Sequence, residues 1–117
     1  MNATDKAQAA VKILDSKKAK DIVVLYVEQV TYICDYFVIC TATNVRQLDA
    51  LVRELCDKMA QKGIDAARVE GAANSGWILV DFGDVVVHLF KGDTREFYGL
   101  ESLWSDAERV EPSLEEK

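Results

Sequence analysis

Between Asn2 and Lys18 the apolar residues Ala7, Ala10, Val11 and Leu14 return at helical spacing. That predicts an amphipathic helix, with the closing lysines at the negative end of its dipole. Asp21 then introduces Ile22 to Glu28, and a link through Thr31 and Asp35 leads to Tyr36 to Thr41. Both runs are too short and too β-branched for helices, so they are predicted strands. The next element has the sharpest pattern. Leu48, Leu51, Val52, Leu55 and Met59 fall on one stripe, while Arg46, Asp49, Arg53, Asp57 and Lys58 fall on the other side. Asn44 and Gln47 are spaced to form a capping box at its start, and Gly63 suits its end. A short strand near Ala67 to Glu70 follows, so strand, helix and strand suggest a crossover, right-handed if the strands are parallel.

Gly71 to Gly76 reads as a loop of small residues. It opens into two apolar runs, Trp77 to Phe82 and Val85 to Phe90, separated by Gly83-Asp84. A two-residue link with glycine first predicts a tight hairpin. In that register Phe82 faces Val85, Val80 faces Val87 and Ile78 faces Leu89, a wholly apolar face that must be core. The other face pairs Trp77 with Phe90, Leu79 with His88, and Asp81 with Val86. A slip of one residue would expose the apolar set, so the register is strongly specified. Asp93 to Glu96 reads as a second helix cap, leading into Phe97-Tyr98-Gly99-Leu100 and Leu103-Trp104. The expected organisation is one α+β domain over residues 1–107, a mixed sheet of about five strands packed with helices, followed by a flexible acidic tail at 108–117.

Composition narrows the function. A chain of 117 residues has no room for a kinase, a barrel enzyme or a complete dinucleotide-binding domain. Its 20 acidic against 14 basic residues give a net charge of −6, with no basic stripe. An acidic surface repels phosphate and attracts basic partners, so a basic protein is a better match than nucleic acid read by sequence. The three cysteines, Cys34, Cys40 and Cys56, have no paired spacing and read as reduced thiols of a cytosolic protein. No stretch is long and apolar enough for a membrane span, and residues 1–10 lack a signal-peptide core.

Candidate chemistry is sparse. Asp81-Phe82-Gly83 repeats a kinase tripeptide without the loops and length a kinase needs. Asp81 and Asp84 together offer a cation site, with His88 as general base, and this carries the alternative reading of a small nucleotide- and metal-dependent transferase. Conformational preference alone explains aspartate in a turn, and a hydrogen-bonded strand histidine explains His88. A dyad of Cys34 or Cys40 with His88 lacks any signature around the thiols. The aromatics after residue 76 (Trp77, Phe90, Phe97, Tyr98 and Trp104) exceed what core packing needs, and tryptophan and tyrosine are common interface anchors.

Several segments together resemble the ribosome silencing factor family, also called Iojap-related proteins. They are Asp35 to Ile39, Gln47, Glu70-Gly71, the whole run Trp77 to Phe90, Arg95 to Glu101, Leu103-Trp104 and Asp106-Ala107. The resemblance covers residues 5–107. Asn44 stands where serine is expected in many relatives, and both residues cap helices. The resemblance implies a translational repressor without catalysis or cofactor. Such a protein binds the large ribosomal subunit through its universal protein fourteen and blocks subunit joining when nutrients are short. It also implies a sheet shaped like that of nucleotidyltransferases, and homodimers in some relatives, which leaves a homodimeric scaffold as a further alternative. The expected partner-binding set is Glu70, Trp77, Asp81, Arg95, Tyr98, Leu100, Glu101 and Trp104. Trp77, Tyr98, Leu100 and Trp104 are its apolar anchors, and Asp81, Glu101 and Glu70 pair with basic partner groups.

Overall fold

The first helix, α1, runs Ala3–Ser16, and the Asn2 side chain caps it by accepting from the Asp5 amide. Its inward stripe of Ala7, Ala10, Val11 and Leu14 is buried. The strands β1, Lys20–Tyr26, and β2, Tyr36–Ala42, pair antiparallel. A computed structural model, describing residues 1–110, gives these elements and those that follow.

Helix α2, Val45–Gln61, buries Leu48, Leu51, Leu55 and Met59 to within 1% of full enclosure. At about 1.5–3 kcal/mol per buried aliphatic side chain, that stripe is a main contributor to the core. The cap differs in one detail from the expected box. Asn44 Oδ1 accepts from the Gln47 amide at 2.8 Å, but Gln47 Oε1 accepts from the Thr43 amide, one residue earlier than the box requires. The Gln47 amide nitrogen is thereby turned toward the carbonyls of Lys17 and Lys18, which it donates to at 3.4 and 3.2 Å. One side chain thus starts α2 and holds the end of α1.

After α2 come β3, Arg68–Ala72, a 3-10 turn at Ala73–Ser75, β4, Trp77–Asp81, and β5, Val85–Lys91. The hairpin register is the expected one: Ile78 faces Leu89, Val80 faces Val87, and Trp77, Leu79 and Asp81 face Phe90, His88 and Val86. Gly83 takes φ +94° in the turn, where a side chain would be strained. Gly71, expected in a loop, lies inside β3 at φ +95°, and a Cβ there would collide with the Trp77 carbonyl oxygen. Two short helices, α3 at Thr94–Tyr98 and α4 at Leu100–Leu103, then lead to β6, Glu108–Val110. Asp93 does not cap α3 with its side chain; its backbone is already helical.

The sheet is six-stranded and mixed, in the order β3-β4-β5-β2-β1-β6, with β2 and β5 parallel at its centre. The sixth strand comes from residues expected in the tail: Glu108 to Val110 pair with β1. The rest of that tail, 111–117, lies outside the described residues. β3 runs in the same direction as β2, as a crossover requires, yet β5 and β4 lie between them and β3 forms the far edge.

The two sheet faces are covered very differently. Val38, Cys40, Ile78, Val80, Val85, Val87 and Leu89 form one core with α1 and α2. On the other face Val23, Leu25, Phe37, Ile39, Val86 and Phe90 form a second core, closed by Val27, Cys34, Leu100 and Trp104. No long helix lies over this second face among the described residues; only the segment 94–107 and the base of the β1–β2 connection cover it.

Candidate partner-binding face

The second face is the one that carries the unusual hairpin positions. Arg68 and Glu70 of β3 stand opposite Asp81 and Leu79 of β4, which in turn stand opposite Val86 and His88 of β5. Alternation along each strand therefore places Arg68, Glu70, Leu79 and Asp81 on one surface. Glu70 and Arg68 are exposed, and Leu79 and Asp81 are half-buried. Arg68 bridges the two acids, 3.0 Å from Glu70 and 3.3 Å from Asp81. The Arg68–Glu70 pair is exposed and worth at most about 1 kcal/mol, which leaves Glu70 open, whereas only 19% of the Asp81 side chain is exposed. Asp81 Oδ1 also accepts from the Gly83 amide at 2.7 Å, which holds its carboxylate at the hairpin turn.

Trp77 anchors the aromatic end of this face. Its ring stacks on Phe90 at 5.3 Å and meets Tyr98 at 4.5 Å, and Phe97 packs edge-on against Tyr98. Trp77 is half-buried, Tyr98 is 44% exposed and Phe97 83% exposed. The Trp77 indole Nε1 donates to His88 Nδ1 at 3.3 Å. His88 is itself buried, and burial pushes its pKa down to about 4, so at neutral pH it is an uncharged acceptor. Its Nε2 has no partner among the described residues. The histidine's companion is the indole rather than Asp81.

The remaining members of the expected set hold the segment down. Arg95 Nε donates to Glu101 at 2.7 Å, while its Nη1 donates to the Asp21 carbonyl at 2.6 Å and to Thr41 Oγ1 at 2.9 Å. Only 13% of the Arg95 side chain is exposed. Glu101 also receives Arg109 of β6 at 3.5 Å. Leu100, expected as an exposed anchor, is buried in the second core, and Trp104 is half-buried with its ring edge-on to Phe37 at 5.3 Å. The correction has a simple cause: a face assigned by periodicity says nothing of what lies over it, and here the segment folds its own apolar side chains inward. Glu70, Trp77, Asp81 and Tyr98 are brought together on the open part of the face. Arg95, Leu100, Glu101 and Trp104 belong to its support. Phe97 and Leu103, the latter 74% exposed, were not in the expected set. The sequence signal for Phe97 was membership of the aromatic run, and for Leu103 only its place beside Trp104.

The residues of the alternative readings are otherwise engaged. Lys6 reaches Asp84 at 2.9 Å, and Arg68 sits on Asp81, so each carboxylate of the supposed cation pair already has a cation. Cys40 lies under the helices, on the opposite side of the sheet from His88. Cys34 donates to the Tyr36 carbonyl. Burial raises both thiols to about 12, so neither is a thiolate at neutral pH. All three cysteines are free. No helix among the described residues is long and apolar enough to cross a membrane.

Fold and face together define a small α+β domain with one sheet surface closed by helices and one left half open, bearing aromatic rings and carboxylates. Residues 1–117 match the family described as ribosomal silencing factor during starvation. Two curated relatives, both named ribosomal silencing factor RsfS, agree with this. That of Halalkalibacterium halodurans is 40% identical over 111 residues, 95% of each chain. That of Bacillus subtilis is 41% identical over 107 residues, 92% of this chain and 91% of the relative. The crystal structure of a Chromobacterium violaceum protein superposes with a TM-score of 0.86 at 31% identity, covering 100% of this chain and 95% of that one. The chain belongs to the ribosomal silencing factor family.

Proposed function

We propose that this protein represses translation by docking its half-open sheet face on the large ribosomal subunit, through ribosomal protein fourteen, and so keeps the small subunit from joining. It acts in the cytoplasm by occupying a surface, with no catalytic step and no cofactor. The observation that carries this reading is the grouping of Trp77, Phe97 and Tyr98 with Glu70 and Asp81 on a face that no long helix covers. Aromatic anchors beside carboxylates suit a partner whose contact surface is apolar at its centre and basic at its rim. The net charge of −6 favours the same partner class.

A subunit-joining assay tests it. Purified large and small subunits should associate less as the protein is added. Asp81→Lys and Glu70→Lys should restore association, because reversing a charge at a desolvated contact costs about 2–5 kcal/mol. Glu70 is exposed, so its variant keeps the fold even if Asp81→Lys disturbs the hairpin turn. Undiminished joining in the presence of excess wild-type protein would overturn the proposal.

A further inference from the structure

The connection between β1 and β2, residues 27–35, carries Val30, Tyr32 and Ile33 at its tip. Their exposures are 42%, 107% and 66%. Single exposed apolar residues are ordinary, but three within four positions concentrate apolar surface at one loop tip. The tip is not loosely hung. Val27 donates to the Asp35 carbonyl at 2.8 Å, Val30 and Thr31 both donate to the Val27 carbonyl at 3.0 Å, and Ile33 donates to Thr31 Oγ1 at 3.2 Å. At its base Val27 and Cys34 are buried in the second core. The amides of Asp35 and Tyr36 both donate to the Asp84 carbonyl, which ties the connection to the hairpin turn beside Asp81. A tip whose backbone is already held in shape loses less entropy when it is covered.

We infer that Val30, Tyr32 and Ile33 form a second docking element of the same face, seating in an apolar cleft rimmed by basic side chains on the protein partner. The inference rests on the reading given under Proposed function and deepens it. Continuity supports it, since the tip stands at the Asp81 end of the face while Trp77 and Tyr98 stand at the other. Charge supports it too. Asp84 is balanced by Lys6 and Asp81 by Arg68, and the connection itself adds the carboxylates of Glu28 and Asp35, which have no ion-pair partner among the described residues. Such a rim repels the phosphates of RNA and of anionic lipid, and matches a basic protein surface.

The test uses the full chain carrying Tyr32→Ser with Ile33→Ser, and Tyr32→Phe as the conservative variant. Titrated co-sedimentation with purified large subunits should show the double variant weakened by about tenfold or more, the loss of one substantial apolar anchor. Its thermal midpoint should match wild type, and Tyr32→Phe should bind as wild type does. If wild type pellets with large subunits and Glu70→Lys weakens it while the double variant does not, the second element is refuted and the first reading stands. If wild type does not pellet at all, both fall. Two side measurements name the other occupants: loss of self-association in sedimentation velocity would assign the tip to a second copy, and loss of flotation with phosphatidylcholine vesicles would assign it to lipid. Either result, with subunit binding unchanged, overturns the inference.

Discussion

Replacing His88 by glutamine should flatten part of the acid dependence of folding. In the native protein the imidazole is enclosed between Phe37, edge-on at 4.9 Å, and the Trp77 indole, and its pKa falls from 6.5 to about 4 because burial disfavours the charged ring. The unfolded chain takes up a proton near pH 6.5, and the folded chain resists until about pH 4. Between those values the unfolded state binds more protons, so stability falls as pH falls. Over the 1.5 pH units from 6.5 to about 5, at 1.36 kcal/mol per unit, the native state loses about 2 kcal/mol from this residue alone. Above pH 6.5 the contribution is constant. Urea unfolding of wild type and His88→Gln at about pH 7 and about pH 5 isolates it, since every carboxylate is shared by the two proteins. Wild type should lose about 2 kcal/mol more than the variant over that interval. Equal losses, or an imidazole resonance in the folded protein that titrates near 6.5, would refute the argument.

Gly71→Ala should destabilise the domain by about 3 kcal/mol in chemical unfolding, because a left-handed φ and a collision with the Trp77 carbonyl act together inside β3. Arg95→Ala should cost about 3 kcal/mol and speed proteolysis within residues 94–107, since it removes the bonds to Glu101, Thr41 and the Asp21 carbonyl at once. Maleimide at neutral pH should label Cys56 first, as it is half-buried where Cys34 and Cys40 are enclosed; peptide mapping of the first adduct checks this.

The elements that were legible in the sequence were those whose periodicity met a single, complete cover. The α2 stripe and the hairpin register could be written down because a shift in either would have exposed a row of aliphatic side chains. β3 was placed only approximately, because Arg68 to Ala72 form an exposed edge and show no alternation to read. β6 was missed for the same reason: a three-residue charged edge strand has the composition of a tail. In the candidate site, strand alternation put Trp77, Leu79 and Asp81 on one side. It could not distinguish Leu100, which turns inward, from Leu103 one helical turn later, which turns out. Arg95 was expected to meet a partner, and its bonds to the distant Asp21 carbonyl and Thr41 are invisible to any local pattern.

The central parallel pair has a bearing on how the molecule is made. Residues 36–42 meet β1 locally on one side, but on the other side they pair with 85–91, so the middle of the sheet closes a loop spanning nearly half the polypeptide. Contacts so far apart along the backbone form slowly, and a chain emerging from synthesis cannot make them until its second half is out. Trp104 settles on Phe37 later still. In a growing chain the half-open face of the sheet would therefore be the last part of this domain to take shape.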